Sequence, residues 1–160
     1  MTHVSATVPL RTTLPRAARV LVREASSVLG DEVGVELRRG PAIRQRVTVD
    51  LRGPELGGDA SRWALSWEPV GHTVVLPAFS GSLEIREDED GTTSLQVAGS
   101  YRPPLGLVGV IVDGAIGHRV AEVSIEHFTA AVGRRLDQAA QRGDGRRWRG
   151  PEPAPDLRPV

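Results

Sequence analysis

Gly99-Ser100-Tyr101-Arg102-Pro103-Pro104-Leu105-Gly106 joins two stretches of opposite periodicity. Before it, apolar and polar residues alternate, as they do along a strand. After it, apolar residues recur at helical spacing for roughly thirty-five residues. The octapeptide is therefore a strand-to-helix corner. A single long terminal helix laid across a curved antiparallel sheet can enclose a ligand-sized cavity.

The strands upstream all share one design. Val47, Val49 and Leu51 alternate with Arg46, Thr48, Asp50 and Arg52, and Trp63, Leu65 and Trp67 alternate with Arg62, Ala64, Ser66 and Glu68. A third run, Thr73 to Arg86, is interrupted by Pro77, which predicts a bulge or bend. Beyond it Phe79, Leu83 and Ile85 share a face with Gly81 between them. Asp88-Glu89-Asp90-Gly91 is a turn, and Thr93, Leu95, Val97, Gly99 and Tyr101 complete the inner face of a hairpin. Arg46, Asp50, Arg52, Arg62, Glu68, Glu84, Arg86 and Arg102 all fall on the outward parity, and no charged residue falls on the inward one. Such a sheet is antiparallel, wetted on one side and covered on the other.

Only two helical patterns remain to supply the cover. The chain opens with a half-buried strand through Val4, Ala6, Val8 and Leu10. Thr12 or Thr13 then caps a helix with Pro15 in its first turn. Leu14, Ala18, Leu21, Val22, Ala25, Val28 and Leu29 form its apolar face, and Gly30 ends it. Val33, Val35 and Leu37 alternate as a short strand, broken at Gly40-Pro41. The second helix starts between Leu105 and Asp113 and runs to about Gln141. It carries two apolar stripes, Val112, Ile116, Val120 and Val123, then Ala121, Ile125, Phe128, Val132, Leu136 and Ala139, offset by roughly 160°. Either its two ends meet different neighbours, or one face serves a partner. The fold class is α+β: six or seven antiparallel strands curved onto a long C-terminal helix, with one shorter helix after the first strand.

Composition narrows the function. At 160 residues the chain forms one domain able to bury about 68–70% of its unfolded surface. The expected division is a domain over 1–141 and a disordered Arg/Pro-rich tail over 142–160. Twenty basic residues, all arginine, balance twenty acidic ones, so no global field steers the chain to nucleic acid or anionic lipid. The absence of cysteine excludes disulfides, thiolate metal sites and cysteine nucleophiles. The N-terminus lacks the features of a secretory signal. The longest apolar run, Leu105 to Val112, is far short of the ~20 residues of a membrane helix. The expectation is a cytoplasmic protein with no membrane partner.

Trp67-Glu68, Leu76-Pro77-Ala78-Phe79-Ser80-Gly81-Ser82-Leu83, the Gly99–Gly106 corner, Gly109, Asp113 and His118-Arg119-Val120-Ala121 resemble the START-like helix-grip (SRPBCC) superfamily. The likeness is to small members related to polyketide cyclase/dehydrase and lipid-transport proteins. It extends from about Trp63 to Leu136 and is topological before that. One departure is the single helix after the first strand, where the usual grip has two. The resemblance implies a hydrophobic pocket and no particular reaction, because carriers and cyclases share the fold.

The cavity-lining candidates are Trp63, Trp67, Phe79, Leu83, Leu95, Val97 and Tyr101 from the sheet, with Ile116, Val120 and Val123 from the helix. Tyr101 is the one inward strand residue able to donate a proton; its plainer role is to satisfy backbone near Pro103-Pro104. Asp113, with Arg102 and Arg119, reads as an ion pair or cap. His118 and His127 lie about 180° apart around the helix and cannot share a metal, and His72 sits in a turn. No metal, phosphate-cradling or nucleophile-elbow pattern occurs, so no catalytic residue, metal or cofactor is assigned. In the tail, Arg142-Gly143-Asp144 reads as chance, and Arg146, Arg147, Trp148 and Arg149 are too few to assign a nucleic-acid site. These features favour non-enzymatic binding of a small apolar or amphipathic ligand. The alternatives are a cyclase/aromatase using Tyr101 and a helix histidine, or an interaction module dimerising through Phe128, Val132 and Leu136.

Overall fold

The computed structural model describes residues 2–35, 43–71, 76–102 and 114–145. Six strands and two helices follow in the order β1 (Thr2–Leu10), α1 (Leu14–Leu29), β2 (Glu32–Val35), β3 (Ile43–Gly57), β4 (Ala60–Pro69), β5 (Ala78–Glu87), β6 (Thr93–Arg102) and α2 (Gly114–Gly145). The strands form one antiparallel sheet in the spatial order β1-β6-β5-β4-β3-β2. The fold class is the one expected, with six strands.

The first two strands in the chain are thus the two edges of the sheet, and α1 carries the chain between them. A six-stranded sheet laid flat would hold its edges about 24 Å apart. A sixteen-residue helix is also about 24 Å long. The sheet nonetheless curls, since α2 packs against both edge strands as well as α1 and β6. The result is a half-barrel with the helices on its concave side.

Two glycine sites ease that curl. Gly81 pairs with Gly99 across β5 and β6. A Cβ on Gly99 would lie 2.5 Å from the Ser80 carbonyl oxygen and 2.6 Å from the Gly81 Cα. In β3 the register shifts between Arg52 and Glu55, where Gly53 adopts φ 135°, a bulge of the kind that bends a strand.

Parity behaves as the sequence implied. Trp63, Leu65, Trp67, Phe79, Leu83, Ile85, Leu95, Val97 and Tyr101 are buried. Outward charges pair across the wet face, including Arg62 with Glu84, its register partner on β5, and Arg102 with Glu68 at 3.9 Å.

The helices depart from expectation in instructive ways. Along α1 the buried residues are Ala17, Leu21, Val28 and Leu29, while Val22 is 60% exposed. Glu24 leaves helical geometry (φ −128°, ψ 30°), so one regular apolar stripe does not run the length of the helix. Thr13 is the N-cap, but its side chain makes no capping bond. β5 begins after Pro77, at Ala78; residues 73–75, in the part of that run before the proline, lie outside the described residues. The described part of α2 begins at Gly114 and extends to Gly145, past the Gln141 boundary read from the sequence. Its second stripe is spent within the chain: Phe128, Val132 and Leu136 are buried in the core. That overturns their use as a free dimerisation face. Val112, Asp113, His72, the Pro103–Gly106 part of the corner and 146–160 lie outside the described residues.

Candidate functional site

The concave face divides into two ends. α2 enters beside Tyr101 and leaves beside the β1–α1 corner, and successive residues along it record the route. His118 faces Tyr101 and Phe128 meets Trp67. Gly133 lies against Val8, Leu10 and Leu95, and Asp137 reaches Arg11 and Thr12.

At the exit end the packing is closed. Trp63 pairs with Leu83, and Leu83 with Val97. With Leu95, Ile85, Val132 and Leu136 they are at most 2% exposed. These side chains fill the core, so Trp63, Leu83, Leu95 and Val97 have a packing role in this state.

At the entry end the aromatic residues gather. Trp67 stacks on Phe79 with ring centroids 4.5 Å apart, and Phe128 tilts against Trp67 at 4.9 Å. The indole N–H of Trp67 donates to the Pro77 carbonyl at 3.1 Å, and the cluster is itself buried, with Trp67, Phe79, Phe128 and Tyr101 between 2% and 7% exposed. Tyr101 stands next to Phe79 in register, and its ring lies 6.4 Å from that of His118. His118 Nε2 is 3.1 Å from Glu122 Oε1, one helical turn on. Val120 and Val123 are partly buried against the core. The side chain of Ile116 lies outside what is described.

Three of the polar residues facing the interior find backbone partners. Ser124 and Thr129 donate to the carbonyls of Val120 and Ile125, the back-bonding that hides a hydroxyl inside a helix. Gln45 is buried; its side-chain oxygen accepts from Leu76 N–H at 3.0 Å, and its amide donates to the Val70 carbonyl at 3.5 Å. Sequence reading missed Gln45, although it occupies the inward parity of β3 with Val47. The backbone role expected of the Tyr101 hydroxyl falls on the Pro103-Pro104 corner, which lies outside the described residues.

Two surface depressions lie elsewhere. One, of about 180 Å³, is lined by Arg11, Thr12, Thr13, Arg16, Asp137, Ala140 and Gln141 at the β1–α1 corner. The other, of about 280 Å³, is on the wet face between Glu55, Gly57, Ala60, Arg62 and Glu84. Neither touches the aromatic cluster. Among the described residues, no three histidines or carboxylates are grouped to hold a metal. No described helix is long and apolar enough to cross a membrane.

No protein-family model matches the chain, and no curated protein matches it. Among solved structures, the crystal structure of protein Ms6760 from Mycobacterium smegmatis is similar over 84% of this chain and 87% of that one, at 12% identity and a TM-score of 0.47. The fold, a curled antiparallel sheet with a C-terminal helix, is helix-grip-like in outline.

Proposed function

We propose that this chain is a START-like helix-grip domain that binds a small apolar or amphipathic molecule between the sheet and α2, without catalysing a reaction. The supporting observation is the division of the sheet's two faces. The charges of β4, β5 and β6 face outward, while the concave side gathers Trp67, Phe79, Phe128 and Tyr101 at one end. A ligand lodged among those buried rings removes its own apolar surface from water at about 25 cal/mol per Å², and no ionised strand side chain has to be desolvated there. The cytoplasmic location expected from the sequence belongs to the same reading. Native mass spectrometry of the purified protein is expected to show an adduct that is lost on denaturation and extractable into organic solvent. A single ligand-free mass, together with no fluorescence gain from an apolar dye such as Nile red, would overturn the proposal.

A second reading draws on the pairing of Tyr101 with His118 and of His118 with Glu122. A phenol beside a carboxylate-held imidazole is an arrangement suited to proton transfer, as a cyclase/aromatase acting on a polyketide-like substrate would need. Tyr101→Phe should then abolish turnover while leaving the fold intact. Unchanged turnover would remove the residue from that role.

A further inference from the structure

The margin of the proposed groove carries an unusual group. His118 is part-exposed, and its Nε2 edge meets Glu122. Its other ring nitrogen, Nδ1, is buried and has no hydrogen-bond partner among the described residues. Buried polar atoms in folded proteins are nearly always paired, so an orphan calls for an occupant. The Tyr101 ring lies 6.4 Å from that of His118, so its phenol belongs to the same end of the sheet.

The carboxylate decides what Nδ1 can accept. Glu122, when ionised, can only accept a hydrogen bond, so the neutral imidazole keeps its proton on Nε2 and shows a bare lone pair at Nδ1. That lone pair requires a donor. A carboxylate or an ether has none to offer. A hydroxyl has one, and its oxygen can accept in return from the Tyr101 phenol.

We infer that His118 Nδ1 and the Tyr101 hydroxyl hold the hydroxyl group of a neutral, otherwise apolar ligand, a phenol or an aliphatic alcohol, whose body lies toward Trp67, Phe79 and Phe128. This assignment rests on the groove being a ligand site, and its test separates the two claims.

Calorimetric titration of the full chain compares 4-ethylphenol with 4-ethylanisole, and octan-1-ol with octanoate. In each pair the second compound keeps the apolar body and lacks the donor. At mildly alkaline pH each hydroxyl compound is expected to bind about five- to tenfold more tightly than its partner. The ranking of 4-ethylphenol against octan-1-ol distinguishes an aromatic from an aliphatic ligand. His118→Phe keeps a ring over Tyr101 without a nitrogen. It should bring 4-ethylphenol down to the affinity of 4-ethylanisole.

Glu122→Gln offers a readout that a merely structural role would not move. Its amide can donate to Nε2, which allows the imidazole proton onto Nδ1, so octanoate should gain on octan-1-ol. An unchanged ratio counts against the assignment. Equal wild-type affinities within each pair, or equal losses of 4-ethylphenol and 4-ethylanisole binding in His118→Phe, overturn the polar-group assignment and leave the apolar groove standing. Failure of all four compounds to bind overturns both. Should His118→Phe not fold, the wild-type comparison still decides.

Discussion

Single atoms set the curvature of the sheet. Gly99 sits where a methyl group would meet the Ser80 carbonyl, the Gly81 Cα and the Phe79 ring, all within 2.8 Å. Two of those neighbours are backbone and cannot swing aside. Gly99→Ala is therefore expected to destabilise the fold by about 2–3 kcal/mol, as overpacking does. Gly57→Ala, with nothing within 4 Å, is the control and should lie within about 0.5 kcal/mol of wild type. Urea unfolding measures both. At the β5–β6 turn, Asp90 accepts from the Thr92 hydroxyl at 2.6 Å and from the Thr92 backbone N–H at 3.0 Å. These bonds, the hydroxyl's foremost, hold its carboxyl below the ordinary range. A group lowered in the folded state adds stability above its unfolded pKa and loses it as pH falls through the folded one. An NMR titration of Asp90 should show a midpoint below that of a free aspartate, moving upward in Thr92→Ala. A midpoint unaffected by that substitution would show that the hydroxyl is not the cause.

Elements are joined by residues far apart in sequence. The Arg135 guanidinium donates to the carbonyls of Val28 and Leu29 at 3.2 and 3.0 Å, the unpaired acceptors at the C-terminus of α1. A cation there also meets the negative end of the helix dipole. Arg135→Met keeps the aliphatic stem and loses both bonds. It should cost about 1.5–3 kcal/mol in urea unfolding, whereas a loss under 0.5 kcal/mol would mark the contact as incidental. At the other end of α1, Asp137 accepts from the backbone N–H groups of Arg11 and Thr12, tying the β1–α1 corner to α2. Helical spacing assigns a partner to neither Asp137 nor Arg135. Helical periodicity reports which side of a helix is polar; it carries no information about a partner more than a hundred positions away. The exposure of Val22 escaped for a related reason, since the stripe rule assumes regular geometry and α1 is kinked at Glu24.

For the whole molecule, the concave face couples every element into one unfolding unit. Trp63 and Trp67 lie in the sheet core, and Phe128 of α2 packs on Trp67. Tryptophan fluorescence and far-ultraviolet circular dichroism should therefore report coincident urea transitions, the mark of two-state unfolding. Separate midpoints would mean that α2 detaches before the sheet opens. The division of the strands into an apolar and a charged face could be read directly from the chain, because successive strand side chains point to opposite sides. The two helices were legible by the same local logic of spacing. Assembly in three dimensions decided the rest: β1 and β2 became opposite edges, the second stripe of α2 was spent on the core, and His118 came to rest over Tyr101. Those outcomes depend on how far the sheet curls and where the final helix crosses it, and packing between distant segments sets both.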